Sequence, residues 1–444
     1  MIKVAKFGGS SMADALHFRM VRSIVKDDPG RVCVVVSACG KRNKQDNKIT
    51  DLLYLIQAHR QYGVSYDEIF NTIRERYKDI AAELRLKFDL DAEFDAILEK
   101  LKGDIDVDYL VSRGEYLTAR LMAEYLRYAF VDAADTVFFN YDGKVNMEKT
   151  TAALSEAARK YGRFVLPGFY GTLPNGRIRL FSRGGSDITG AIAANALDAD
   201  CYENWTDVSG ILMADPRVVD NPRPIKRITY EELRELSFMG ASVLHEEAVL
   251  PVKEKGIPLN IRNTIRPEDK GTLILNSIDE EPEGDHLLTG IAGRKGFTVM
   301  TLYKKQITTD TLIVRRTLEI LEACHVEVQH ITLGVDSFNV VMPTAQVSDR
   351  IYDIVSEIRS TLSPDDVKIQ DNIALIASVG RRMVSVPGSS ARLFGALGAN
   401  NINIRMIAQG SEEISIIVGV ENRDFERTIR TLYEGFMDKE EGNA

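Results

Sequence analysis

Apolar residues follow two rhythms along this chain. Ile2 to Phe7 and Arg31 to Ser37 are compact apolar runs, and Val32-Cys33-Val34-Val35-Val36-Ser37 shows no alternation, the pattern of a parallel strand covered on both faces. Between them Asp14 to Val25 places its apolar residues at helical spacing, so the first stretch reads as strand, crossover helix, strand. From Thr50 to Leu101 the spacing is helical with one charged face and no glycine between Val64 and Lys102, which predicts a helical insertion. Phe164 to Phe169 reads as a strand entering a loop, and Ile178 to Phe181 as a short strand before the alanine-rich helix Ile188 to Leu197. Ala199 to Asn204 and Pro258 to Asn263 supply later strands, and two helices broken at Gly240 fill Thr229 to Glu254. This alternation predicts an α/β domain on a mostly parallel sheet.

The rhythm then changes. Asp279-Glu280-Glu281-Pro282-Glu283-Gly284-Asp285 is an acidic, Pro/Gly-containing stretch that predicts a domain boundary, giving regions 1–285 and 286–444. Beyond it Val326, Val328, Ile331 and Gly334 recur as Ile402, Ile404, Ile407 and Gly410, each 76 positions on. Two copies of one α+β unit are expected, at about 297–370 and 373–444, each ordered strand, helix, strand, strand, helix, strand in the ferredoxin-like manner. Residues 286–296 can lend a strand to the second. Val386-Pro387-Gly388-Ser389-Ser390 offers backbone amides to a carboxylate, which points to a small-ligand sensor.

With 444 residues the chain exceeds what one core usually supports, so two or three domains are expected. A formal net charge of -9 argues against a general nucleic-acid or anionic-membrane surface and leaves small molecules and other subunits as partners. Cys33, Cys39, Cys201 and Cys324 form no C-x-x-C pair, so reduced thiols and a cytoplasmic location are expected, with no resident metal. No signal-type start or long uncharged apolar span predicts export or membrane insertion.

The candidate chemistry gathers around two glycine turns. Lys6-Phe7-Gly8-Gly9-Ser10-Ser11 ends one strand with a cation beside it, and Ser182-Arg183-Gly184-Gly185-Ser186-Asp187 opens a helix whose first amides attract anions. A carboxylate at Asp187 repels phosphate unless Mg2+ or a lysine stands between them, and Lys6 is the candidate lysine. Each glycine pair alone is equally an ordinary tight turn. Ligands of a parallel sheet gather at the carboxyl ends of its strands, so Ser37 and the loop to Asn47 are expected to face the crevice of Gly8 and Gly9, and Thr50 is read as a helix N-cap or as a residue reaching the same crevice. Ser112-Arg113-Gly114-Glu115 has the spacing of a capping box that begins a helix, in which Glu115 merely satisfies the Ser112 amide; the alternative is a carboxylate for a substrate ammonium. Trp205 to Gly210 is a loop that can hold a base and ribose, Asp215-Pro216-Arg217 is a turn, and His245 reads as a packed helix residue.

Taken in order, the Lys6, Ser112, Ser182, Trp205-Thr206-Asp207 and Asp215 motifs resemble those of the aspartate kinases, and the tail resembles tandem ACT domains. The resemblance covers nearly the whole chain. It implies an amino-acid-kinase three-layer fold followed by two ACT domains, with ATP, Mg2+ and L-aspartate as reactants. It implies Lys6 and Asp187 as the catalytic pair and Gly8, Gly9 and Ser10 on the phosphates, with Lys6. Thr50, Glu115, Arg183 and Ser186 would hold aspartate, and Thr206, Asp207 and Arg217 would line the nucleotide. It further implies a homo-oligomer built through the ACT domains and an amino-acid effector, lysine or threonine. Departures stand at Leu212, where relatives carry tyrosine, at Ser242, where they carry lysine, and at Gln329, where lysine-sensing relatives carry an acid. Thr308-Thr309-Asp310-Thr311 replaces a Pro-Gly turn. Other small-acid kinases of the fold, acting on glutamate or acetylglutamate, and a catalytically silent amino-acid sensor are the alternatives. A fused dehydrogenase is disfavoured, since the chain has no G-x-G fingerprint.

Overall fold

The computed structural model describes residues 1–103, 105–182, 184–241, 244, 248–278, 287–305, 311–410 and 412–437. The chain forms two compact units. Unit one comprises Met1–Ile211, Pro224–Tyr230 and Val243–Asp279, and unit two comprises Leu212–Arg223, Glu231–Ser242 and Glu280–Ala444. The acidic stretch and Thr308 to Asp310 lie outside the described residues, as do Arg183, Ser242 and His245. Of Thr311 only the backbone, which opens a helix, is described.

Unit one is built on an eight-stranded sheet. Its strands are β1 (Lys3–Phe7), β2 (Arg31–Val36), β3 (Ala129–Phe130), β4 (Phe164–Pro167), β7 (Cys201–Thr206), β8 (Arg227–Thr229), β9 (Leu259–Asn263) and β10 (Thr272–Leu275), in the order β3-β4-β2-β1-β7-β9-β10-β8. All neighbours are parallel except β9 and β10. The short strands β5 (Tyr170–Thr172) and β6 (Ile178–Leu180) form a two-stranded ribbon of their own, joined at Thr172 by a single bridge to Phe138. The strand expected before the second glycine turn therefore belongs to a separate ribbon: three residues, with Arg179 exposed, have too little apolar surface for the central sheet.

One face of this sheet presents Ala5, Phe7, Val34, Val36 and Trp205 to a core shared with α1 (Ala15–Asp27), α2 (Ile49–Gln61), α3 (Asp67–Glu83), α4 (Leu90–Leu101) and α5 (Val107–Leu126). On the opposite face α7 (Gly185–Ala196) meets β1 and β7, flanked by α6 (Met147–Tyr161) and α9 (Leu250–Lys255). Helix, sheet and helix make three layers. The expected helix start at Ser112 is corrected: α5 begins at Val107, capped by Asp106 through the Asp108 amide, and Ser112 donates to the Tyr109 carbonyl inside the helix. Asp106 is itself a strong cap five residues after a break at Leu101, so the S-x-x-E spacing is coincidental.

Unit two carries a six-stranded antiparallel sheet of β11 (Gly290–Tyr303), β12 (His330–Leu333), β13 (Ser337–Pro343), β14 (Asp366–Val379), β15 (Met406–Gln409) and β16 (Ser415–Glu421), ordered β12-β13-β11-β14-β16-β15. The repeat shows in this order. Residues 297–303 of β11 lie between β13 and the first part of β14, while Gly290 to Arg294 pair Val379 to Leu375, beside β16. Each half is thus a ferredoxin-like unit sharing its central strands with the other. Helices α10 (Thr311–Ala323) and α12 (Ile351–Leu362) pack together, after the short α11 (Thr344–Val347), and α13 (Ser389–Ala399) packs on α14 (Phe425–Met437).

Two stretches that precede the acidic segment are grouped with this second sheet. The Ile291 amide donates to the Met213 carbonyl at 2.6 Å. In α8 (Tyr230–Phe238), Glu232 is fully buried and accepts from Thr289 Oγ1 at 2.6 Å and the Arg381 amide at 2.9 Å, and Glu235 accepts from Ser415 Oγ at 2.7 Å.

Candidate active site

Parallel register sets Lys6 of β1 beside Asn204 of β7. Period two then sorts the neighbours: Lys6, Tyr202 and Asn204 face α7, while Phe7 and Trp205 face the other way and stack with centroids 5.9 Å apart. The Lys6 ammonium contacts the Asp187 carboxylate directly and reaches Asn204 Oδ1 at 3.4 Å. Asn204 Nδ2 donates to Asp187 Oδ1 at 2.8 Å, and the Tyr202 hydroxyl donates to the Asp187 carbonyl at 3.0 Å. Asp187 sits in the first turn of α7, whose N-cap Gly184 has φ 61°, a left-handed conformation that favours glycine. The two distant glycine turns are thus joined through Lys6, as the sequence suggested, and the joint is an ion pair with an amide bridging it.

The first turn carries Gly8, Gly9 and Ser10, all half-buried, at the end of β1. The loop after β2 presses on it. A Cβ on Gly40 would lie 2.5 Å from the Gly9 carbonyl, and the Gly40 amide donates to that oxygen at 2.8 Å. Arg76, a buried cation from the helical insertion, holds the same loop by donating to the Gly40 carbonyl and, at 2.7 Å, to the Asn47 carbonyl, with Asp46 3.4 Å away. Burial works against the Asp46 charge, but hydrogen bonds from Arg42 and the nearby Arg76 outweigh it and hold the carboxyl down at about 2. Lys41, Arg42, Lys44 and Lys48 are exposed along this loop.

Glu115 lies on the same loop from the other side. It is 4% exposed, and its Oε2 has no hydrogen-bond partner. Desolvation raises its pKa to about 8 against the opposing donation from the Ala38 amide and the charge of Arg113. A buried carboxyl with an unsatisfied oxygen suits an incoming cation, which favours the ammonium reading over the capping one.

The remaining residues divide. Ser186 is 8% exposed in the first turn of α7, next to Asp187, and crowds Gly168, where a Cβ would fall 2.7 Å from its Oγ. Thr50 is the second residue of α2; the N-cap position is Lys48, so the N-cap reading of Thr50 is corrected. Thr206 ends β7 and donates to Asp207 Oδ1 at 3.1 Å, with Asp207 exposed beside it. Arg217 belongs to unit two, where its guanidinium pairs with Asp215 at 2.6 Å. Asn204 and Arg76 escaped the sequence reading, and Ala38 and Gly40 were covered only as part of the loop from Ser37 to Asn47. A glycine four residues after the end of β2 could have flagged Gly40, but nothing local marks the other three, which matter through partners 17 to 198 positions away. Among the described residues no group of three or more His, Cys, Asp or Glu could hold a metal ion. Asp187 supplies one carboxylate, enough for Mg2+ that arrives on phosphates and keeps its waters.

Residues 1–263 match the amino acid kinase family, and residues 376–436 match an ACT domain. Aspartokinase 3 of Bacillus subtilis (strain 168) is 35% identical over 98% of this chain and 99% of its own length. Lysine-sensitive aspartokinase 3 of Escherichia coli (strain K12) is 28% identical over 98% and 99%. Aspartate kinase of Clostridium acetobutylicum superposes with a TM-score of 0.91 at 44% identity, covering 98% of this chain and 99% of that one. E. coli aspartokinase III, solved in one crystal with aspartate and ADP and in another with lysine and aspartate, superposes at 0.74 with 26% identity, again over 98% and 99%.

Proposed function

The chain belongs to the aspartokinases of the amino acid kinase family, and from that membership we propose that its site transfers the γ-phosphoryl group of ATP to the side-chain carboxylate of L-aspartate. The product is 4-phospho-L-aspartate, an early intermediate toward lysine, threonine and methionine. The observation that carries the reading is the loop from Ala38 to Gly40. Its one end donates to Glu115, and its other end presses on the Gly9 turn, so a carboxylate for an amino-acid ammonium and a turn for phosphates share one short segment.

The aspartate carboxylate, with an ordinary pKa near ~3.9, is ionised at neutral pH and needs no general base. The obstacle is bringing two anions together, so positioning and neutralisation dominate. Lys6 stabilises the transferred phosphoryl oxygens, with Gly8, Gly9 and Ser10 giving donors to the phosphates. Glu115 takes the ammonium, while Arg183, Ser186 and Thr50 orient the rest of the substrate. Thr206, Asp207 and Arg217 line the nucleotide. Mg2+ bound with ATP supplies further charge neutralisation, and Asp187 is the residue to hold it. Catalysis is assigned to residues 1–285 and sensing to 286–444, with lysine first and threonine next as effector and pairing of chains through the ACT repeats. Among the described residues no helix is long and apolar enough to cross a membrane; buried, unpaired Cys33 and Cys39 suit the cytoplasm.

Purified protein with Mg-ATP and a panel of acidic amino acids, trapped with hydroxylamine, should give the hydroxamate of aspartate alone. Glutamate or acetylglutamate as the preferred acceptor, or none, refutes the assignment. Lys6→Met should lower kcat by about 10²-fold or more, the usual size of a lost oxyanion-type donor; unchanged turnover of the folded variant removes Lys6 from the mechanism.

A further inference from the structure

Asn204 is a side chain that neither the motifs nor the proposed roles employ, yet it stands between the two charges on which the proposed chemistry turns. It is 2% exposed. The amide has one orientation that satisfies both neighbours: Oδ1 accepts from the Lys6 ammonium at 3.4 Å, and Nδ2 donates to Asp187 Oδ1 at 2.8 Å. A rotation by 180° would aim the NH2 at an ammonium and the carbonyl at a carboxylate, so the two charges fix the amide. The strand fixes the rest, because Tyr202, two residues earlier on the same face, holds the Asp187 main-chain carbonyl.

From this geometry we infer that Asn204 is a positioning residue for phosphoryl transfer, a neutral bridge that keeps Asp187 in place when Lys6 turns from it to the phosphate. The inference rests on the proposed roles of Lys6 and Asp187. Lys6 cannot serve two partners fully. In a closed ion pair its charge is spent on Asp187, and swinging it to phosphate would leave a part-buried carboxylate without its donor. Asn204 Nδ2 keeps one donor on Asp187 throughout, and Oδ1 gives the ammonium a weak, long contact that is readily exchanged for a phosphoryl oxygen. The charged groups facing the amide are Lys6 from β1 and Asp187 from α7, with the Tyr202 hydroxyl beside them. Glu203 points to the other face, where Arg31 holds it at 2.7 Å.

Two variants test this, each first shown to keep its melting temperature within a few degrees. Asn204→Leu preserves the branching at Cγ and removes both hydrogen bonds. Its kcat should fall about 10- to 100-fold, the range for bonds to charged groups, with KM for ATP and aspartate within about twofold. Asn204→Asp keeps the shape, but its carboxylate accepts and does not donate, so its kcat should fall at least as far. In both variants the loss should fall on kcat and not on KM, a split that a merely structural role would not produce. Wild-type kcat in either variant, or a loss that appears in KM instead, overturns the inference. A third readout is independent of the acceptor: the Lys6 ammonium 15N resonance of the unliganded enzyme should shift in Asn204→Leu, and an unmoved resonance overturns the bridge. A wild-type enzyme that phosphorylates no acid in the panel would sink the proposed function, while this resonance would still decide whether Asn204 bridges the pair.

Discussion

Glu115 shows how much one buried carboxyl can decide. Its ordinary value of 4.5 is raised to about 8 because burial removes water from the charged form. Between these values the folded protein holds a proton that the unfolded chain has released. The contribution to stability is therefore fully present below about 4.5 and is lost as pH rises toward about 8. An aspartate ammonium beside the carboxyl reverses the preference, ionises it and releases the proton. Aspartate should bind more tightly as pH rises from 6 to 8, with the KM for ATP nearly constant; a flat aspartate KM over that range refutes the ammonium role. Glu115→Gln should abolish this pH dependence and cost roughly 2 to 4 kcal/mol in kcat/KM, a factor of about 30 to 1,000. Wild-type aspartate kinetics in that variant at an unaltered melting temperature would return Glu115 to a structural part.

The loop from Ala38 to Lys48 touches both Glu115 and the Gly9 turn, and it has no regular structure of its own. Its shape is imposed by neighbours: Gly40 against the Gly9 turn, Arg76 on the Gly40 and Asn47 carbonyls, Asp46 between Arg42 and Arg76. The helical insertion thus has a use beyond filling a core, since α3 supplies the loop's buried anchor. Arg76→Leu leaves two carbonyls without their donor and Asp46 with Arg42 alone, and should destabilise the protein by about 3 kcal/mol in urea unfolding. Because the loop lies on the turn proposed for the phosphates, the same variant should raise the KM for ATP; unchanged stability and KM together would show that the loop holds itself. Gly40→Ala should act similarly for a different reason, since its Cβ has no room beside the Gly9 backbone.

For the whole molecule, the grouping of Leu212–Arg223 and Glu231–Ser242 with the second sheet means that the chain passes between the units several times. A chain cut after residue 285 would strip Glu232 of Thr289 and Arg381 and Glu235 of Ser415. Such a fragment is expected to aggregate or to melt well below the full chain, and a soluble, cooperatively melting 1–285 fragment would contradict this. The chain leaves unit one after β8 and enters unit two within α8. Lysine or threonine, alone or together at millimolar concentration, should change the rate; no response to any aspartate-derived amino acid refutes the sensing role.

The sequence by itself determined the elements and their class. Unalternating valines at 32–36, the helical spacing of 50–101 and the 76-residue repeat are local or periodic signals, and each became the strand, helices or paired half-sheet expected. The glycine turns and Lys6 were legible for the same reason, because a turn and its cation are neighbours in sequence. Other features were decided only by tertiary structure. The bridging of Lys6 and Asp187 by Asn204 depends on strand register across 198 residues, the charge state of Glu115 on its burial, and the membership of 212–223 and 231–242 on which sheet the chain returns to. Register, desolvation and packing partners are properties of pairs distant in sequence, and no local pattern encodes them.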